Sequence, residues 1–356
     1  MPAPAYPTVY AAFSMMDGTF PNPSGWIFGF DAHDLSMPNS NFPLIYATTP
    51  GPGDASNRHG GGVWQGGGGL ALGDDESGVS YIYFSTADGQ FNASNSNYGD
   101  SFLKLTTSLV LSDYFTPSDA FYRWDLSCAT NGNDLDFGSG GVTLIPDGIP
   151  TSNAHLAVKG DKEGGIWAID RTSPGEYGGP CNPPCGQCMN NNNVQTLWPM
   201  YKSHSAFFHN GGAYWNSSLY FAGSGSGAGK GNTLPLTQFP LCQSTTSPIC
   251  GTSTPSTVQF NYGATPSVSS NGNNNGIVWA VDDPNGYYGG SNAAVLHAFN
   301  ASNVATELYN SGQCGTADVP GPATKFTVAT VANGNVFIGT QTDFDIYGVL
   351  ATRNCN

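Results

Sequence analysis

Hydrophobic positions alternate with small or polar ones in short runs, and the runs recur as pairs along the chain. One member of each pair reads TVYAAFS (8–14), SYIYFST (80–86), SLYFAG (218–223) or NVFIGT (335–340). The other mostly opens on glycine: GWIFGFDA (25–32), GIWAID (165–170) and GIVWAVD (276–282), with VLHAFN (295–300) as a variant. A period of two carried by β-branched and aromatic residues predicts strands, and the intervening Gly, Asn and Pro predict turns. No stretch has the length and period of an amphipathic helix. One β unit returning along a chain is the signature of a repeat architecture.

The strands group into units of four. The second unit reads 69–74, 81–87, 101–107 and 111–116; the third 142–146, 156–160, 165–171 and 194–198. The fourth reads 206–210, 218–223, 234–239 and 257–262; the fifth 265–270, 276–282, 294–300 and 307–310. This spacing predicts an all-β fold, a single β-propeller domain over 1–356 with about six to seven four-stranded blades. A β-sandwich would not repeat the same word at this interval. The end units are short. The first offers 8–14, 25–31 and 44–48, and the three prolines of 1–7 discourage an inner strand before them. The last offers 326–332, 335–340 and 344–350, without an outer strand. The expected ring is therefore incompletely closed unless an upstream segment completes it. Open edges are templates for another strand, so self-association, including filaments, is expected.

Charge narrows the partners. Twenty-five acidic against 10 basic residues give a net charge of −15, which repels nucleic acid and anionic lipid. No run reaches the roughly 18 apolar residues of a membrane helix, and the start of the chain lacks the basic and apolar parts of a signal peptide. Eight cysteines point to an oxidising, extracellular setting. Cys242 and Cys250 flank a short Ser/Thr/Pro loop and read as a local disulfide, and Cys314 with Cys355 is a second pairing. Cys128, Cys181, Cys185 and Cys188 read as two structural disulfides of open connectivity in preference to a zinc site; Met189 stands where haem attachment would need His. Asn92, Asn216 and Asn300 begin glycosylation sequons.

Several longer segments carry a resemblance. They are GGGVWQGGGGLA (60–71), YGDSFLKL (98–105), DYFTP (113–117), NDLDFGSGG (133–141) and KGDKEGGIWAID (159–170). GATPS (263–267) with NGIVWAVD (275–282), and VANGNVFIGTQ (331–341), complete the set. In that order the chain resembles the PQQ-like β-propeller proteins, secreted relatives of the quinoprotein dehydrogenases. The resemblance implies the propeller fold. It also raises a PQQ- and Ca²⁺-dependent dehydrogenase as the alternative function. The adjacent cysteines and the calcium and base residues of those enzymes have no counterpart here, and Glu76, Glu163, Glu176 and Glu307 fall at turns or strand starts. The reading preferred is a secreted, non-catalytic structural or binding module without a quinone.

Other chemistry is sparse. Asp134 and Asp136 alternate on an extended loop and could grip Ca²⁺, or cap turns. His59, His155, His204 and His209 sit in no catalytic spacing with carboxylates. The Gly/Ser run 223–227 lacks a following helix and reads as a loop, not a nucleophile elbow. Trp26, Trp167 and Trp279 read as packing residues. Trp64, in the glycine-rich loop, reads first as packing and otherwise as a stack for a sugar or quinone near the central mouth, with a glycan or other surface ligand as the partner implied.

Overall fold

The computed structural model describes residues 7–15, 25–35, 44–53, 59–124, 135–152, 154–179, 194–197, 206–225, 233–244, 247–250, 252–284 and 291–349. These form a nearly all-β molecule in which six antiparallel meanders follow one another. Sheet 1 runs Thr8–Ser14, Gly25–Asp31, Ile45–Ala47. Sheet 2 runs Ala71–Asp74, Ser80–Ser85, Phe102–Thr106, Leu111–Thr116, and Glu176–Tyr177 adds in parallel to its outer edge. Sheet 3 runs Thr143–Leu144, Leu156–Gly160, Ile166–Asp170, Val194–Leu197. Sheet 4 runs Ala213–Trp215, Ser218–Ala222, Leu234–Pro240, Thr254–Phe260. Sheet 5 runs Ser267–Asn271, Asn274–Asp282, Val295–Asn300, Glu307–Asn310. Sheet 6 runs Thr330–Ala332, Asn335–Gly339, Phe344–Gly348.

The first strands of sheets 2 to 6 lie side by side in chain order, which sets those sheets radially, as propeller blades are set. Each successive pair of sheets shares an apolar core. Ile27 and Tyr46 meet Ile82, Phe84 and Leu103 between sheets 1 and 2. Tyr83, Phe102 and Phe115 meet Trp167 and Ile169 between sheets 2 and 3. Leu156, Val158 and Ile166 meet Leu219, Phe221 and Phe239. Tyr220, Leu236 and Phe260 meet Val278 and Phe299. Val281 and Leu296 meet Ala329, Val336 and Ile338 between sheets 5 and 6. Strands caught between two neighbours are buried on both faces, as Leu156–Gly160 and Ser218–Ala222 are throughout. Each large apolar side chain so buried contributes about 1.5–3 kcal/mol. Among the described residues no such core joins sheet 6 to sheet 1.

The structure corrects the fourth unit. Its inner strand is Ala213–Trp215, not 206–210, and Ala206–Phe207 pairs instead with Ser224–Gly225 in a separate ribbon. Asn216 and Ser217 both take positive φ (44° and 60°) and make the two-residue turn that fixes 213–215 opposite 218–220. A one-turn helix, Ala120–Trp124, follows sheet 2 and is too short to show an amphipathic period.

The glycine-rich loop 60–69 crosses between the inner ends of the sheets. A Cβ on Gly66 would lie 2.2 Å from the His209 carbonyl oxygen, and one on Gly67 2.4 Å from that of Phe326. Both residues also have positive φ, so glycine is required twice over. The Thr265 hydroxyl donates to the Gly66 carbonyl at 2.5 Å.

Candidate functional site

The densest chemistry lies between sheets 2 and 3. The helix Ala120–Trp124 places Arg123 one turn after Asp119, and Arg123 Nε donates to Asp119 Oδ1 at 3.1 Å. Its Nη2 reaches Asp161 Oδ2 at 3.2 Å and Glu163 Oε2 at 2.5 Å, and its Nη1 donates to the Leu135 carbonyl at 3.0 Å. Asp161 follows strand Leu156–Gly160 and organises the turn after it, accepting from the Glu163 and Gly165 amides at 3.0 and 2.9 Å. It also accepts the Trp167 indole N–H at 2.7 Å. Lys159 donates to the Gly160 carbonyl at 2.8 Å and to that of Phe137, and lies 3.8 Å from the Phe137 ring centre. One Asp100 oxygen accepts the Phe137 amide at 3.0 Å; its other oxygen is buried without a hydrogen bond.

Burial dominates the electrostatics. It pushes Asp100 up to about 8 and Lys159 down to about 7. It also pushes Glu163 up to about 8, against the pull of Arg123. Burial works against the Arg123 charge too, but Asp119, Glu163 and Asp161 outweigh it and hold the guanidinium ionised. Burial thus favours the neutral form of Glu163 even beside the guanidinium. The cluster locks two sheets together. It offers no surface to a substrate, since Arg123, Asp119, Lys159, Asp161 and Glu163 are all buried.

Asp136 joins this region. It accepts the Asp88 amide at 2.9 Å and the Ser139 hydroxyl at 3.3 Å, and pairs with Lys162. Burial raises its pKa, but Lys162 reverses the effect and the net shift is downward. Asp134 lies outside the described residues. Among the described residues no three His, Cys, Asp or Glu side chains group to hold a metal ion. Glu163, read as a turn residue, belongs to the buried cluster.

The histidines are dispersed. His59 Nδ1 meets the Thr49 carbonyl at 3.0 Å. His155 lies between Glu76 and Asp147, each at 2.9 Å. His209 Nδ1 meets Ser224 Oγ, in the Gly/Ser run, at 3.0 Å. Burial, with the charge of Lys162, lowers the His209 pKa to about 3, which leaves it a weak base for activating a serine. His204 lies outside the described residues.

Cys242 and Cys250 form a disulfide, their Cα atoms 5.2 Å apart. Cys314 is also disulfide-bonded. Cys128, Cys181, Cys185, Cys188 and Cys355 lie outside the described residues. Asn216 is exposed on its hairpin turn, Asn92 is half-buried, and Asn300 accepts the Ser302 amide at 2.9 Å. Trp167 is packed in the core as expected, and Trp64 is partly exposed on the glycine-rich loop. No helix among the described residues is long and apolar enough to cross a membrane.

Two cavities border sheets 5 and 6. One, of about 30 Å³, lies beside Asn210, Thr265, Lys325 and Phe326 and has room for water. The other is an open cleft of about 830 Å³ lined by Trp279, Tyr309 and Tyr347, with Cys314 on its wall. Its described charged lining residues are Asp318 and Asp345. The first cavity is too small for a quinone, and the described lining of the second holds no Lys or Arg to pair a quinone's carboxylates.

No protein-family model matches the chain, and no curated protein does. Solved structures similar to it include a quinohemoprotein alcohol dehydrogenase of Pseudomonas putida HK5 (11% identity, TM-score 0.49, 93% of this chain and 53% of that one). A second quinohemoprotein alcohol dehydrogenase, from Comamonas testosteroni, gives 11% identity, a TM-score of 0.45 and coverage of 93% and 54%. BamB from Moraxella catarrhalis gives 12%, 0.29, and 94% and 96%. The chain spans about half the length of the two dehydrogenases. With TM-scores below 0.5, these likenesses bring no activity to this chain.

Proposed function

We propose that this chain is a secreted, non-catalytic β-propeller module of the PQQ-like class that assembles with further copies through its open sheet edges. The observation that carries this reading is the pair of three-stranded end sheets. Among the described residues, strand Thr8–Ser14 pairs on one side only, and so does Phe344–Gly348. Both edges turn apolar side chains outward: Phe13 is 51% exposed, Phe344 68% and Ile346 60%. Neither strand holds a Lys or Arg of the kind that guards natural edges against strand addition. Secretion is supported by the disulfide chemistry of Cys242, Cys250 and Cys314. The non-catalytic reading is supported by the enclosure of the main charged cluster and by the poor fit of both cavities to a quinone. Assembly adds a strand from a second copy beside one of these edges. Light scattering across a concentration series tests it: growth into dimers or longer species is expected, and a monodisperse monomer at every concentration refutes it.

A further inference from the structure

We propose that copies of this chain join face to face, the outward face of sheet 6 in one copy packing on the outward face of sheet 1 in the next. The proposal rests on the reading that copies assemble through their two end sheets, and it places the energy of that contact on the faces of those sheets. Side chains stand perpendicular to a sheet, alternately on its two faces. In sheet 1, Ile27 enters the core shared with sheet 2, which puts Trp26, Phe28 and Phe30 on the other face. Phe13 lies across from Trp26 on that face, its ring centre 5.5 Å from that of Phe28. In sheet 6, Val336 and Ile338 enter the core shared with sheet 5, which puts Phe337 on the other face. Ile346 pairs across from it, and the Phe344 ring stacks on it at 5.9 Å. The charged strand residues of these two sheets, Asp31 and Asp345, alternate with Phe30 and Ile346 and so fall on the opposite faces. Both outward faces are therefore apolar and uncharged, which fits them to each other and not to a charged partner.

The chain itself shows what such a face packs on. Sheets 1 to 5 each bury one face against the next sheet. Sheet 6 and sheet 1 are the two ends of that series, and within one copy their faces do not meet, since Phe13 stays 51% exposed and Phe344 68%. A second copy continues the series with a joint of the same kind. The two faces differ, so each added copy leaves one of each open and growth does not stop. Edge N–H and C=O groups exchange water for a strand at small net gain, whereas apolar faces leave water altogether. The middle strands tell the two contacts apart. Gly25–Asp31 and Asn335–Gly339 are paired on both sides, so Phe28 and Phe337 take no part in strand addition.

The test is sedimentation velocity of Phe28→Lys and Phe337→Lys, each alone and the two mixed in equal amounts, across a concentration series. Each variant has one blocked face and is expected to stay monomeric where the unaltered chain grows, its contact weakened more than about 30-fold, as for a central interface ring. The mixture brings one open face of each kind together and should form dimers and stop there. Phe28→Leu and Phe337→Leu keep the faces apolar and should still grow, which separates a lost contact from a lost fold. Thermal melts check every variant, and where a Lys variant melts early, Ala at the same position takes its place. Growth of both blocked variants like the unaltered chain would overturn the face contact and leave strand addition standing. Dimers of either variant alone, or a mixture that stays monomeric or grows beyond dimers, would also overturn it. An unaltered chain that is monomeric at every concentration would remove the assembly reading and this proposal together.

Discussion

The joint between sheets 2 and 3 and the joint between sheets 5 and 6 begin alike and finish differently. Each has an apolar stack of neighbouring strands. Between sheets 2 and 3 the stack is capped by Arg123, Asp119, Asp161 and Glu163, with Trp167 hydrogen-bonded into the cap. Between sheets 5 and 6 a tryptophan from the second strand of sheet 5, Trp279, borders an open cleft. Charges enclosed in protein are costly unless each finds a partner, so they hold geometry tightly and tolerate little change. An aromatic wall left open costs little and stays available. The first joint fixes shape; the second has room for a ligand.

The sharpest way to break this contrast is Arg123→Met. It leaves Asp119, Asp161 and Glu163 enclosed without their cation, and a loss of about 3–5 kcal/mol is expected in denaturant unfolding. A loss below about 1 kcal/mol would mean the cap contributes little.

Next comes pH. Asp100 releases its proton near pH 4 when unfolded and at about 8 when folded. The folded state holds the extra proton between those values, so this group's contribution falls as pH rises through that window. The expected slope is about 1.4 kcal/mol per pH unit. Glu163 acts with the same sign, and Lys159 with the opposite sign above about 7. Melting the unaltered chain and Asp100→Asn from pH 5 to 7 isolates the term: the variant should lose stability less steeply. Parallel curves would place Asp100 in its ordinary ionised state.

A smaller effect is expected at sheet 4. Reducing Cys242–Cys250, which closes a sequence separation of 8, should cost about 2–3 kcal/mol without loss of strand content by circular dichroism. The smallest effect on stability is expected at the edge. Phe344→Lys changes a side chain 68% exposed, so unfolding should shift by no more than about 0.5 kcal/mol. Self-association, however, should drop sharply in sedimentation. Unchanged sedimentation would exclude this edge as the contact.

Some strands were legible because burial follows a period of two, as in Gly25–Asp31, where Gly25, Ile27 and Gly29 face inward; strands caught between two sheets, such as Ser218–Ala222, showed instead as short apolar runs between turns. The fourth inner strand was misplaced because the apolar run AFFH at 206–209 outweighed a subtler sign. That sign was the Asn-Ser pair at 216–217, a two-residue hairpin turn between apolar flanks. The charged cluster was not legible. Arg123 and Asp161 stand 38 residues apart, and nothing local tells an enclosed Arg from a solvated one. Asp136 was singled out for its carboxylate, but whether calcium or Lys162 would face it depends on a turn from another hairpin. The cleft was invisible for the same reason: Trp279 reads as a packing residue, and Tyr309 and Tyr347 as nothing in particular, until the spacing of two sheets is known.

The loop 60–69 carries a consequence for the order in which the molecule forms. It precedes sheet 2 in the chain, yet its hydrogen bond from Thr265 spans 199 positions, and its glycines rest on His209 and Phe326. It cannot settle until sheets 4, 5 and 6 exist to receive it. Contacts of such long range slow acquisition of the native state, because the ends of a long chain must meet before the contact stabilises anything. The loop that leaves the ribosome early is thus seated late, and Gly66→Ala should obstruct this final step more than the earlier pairing of any single sheet.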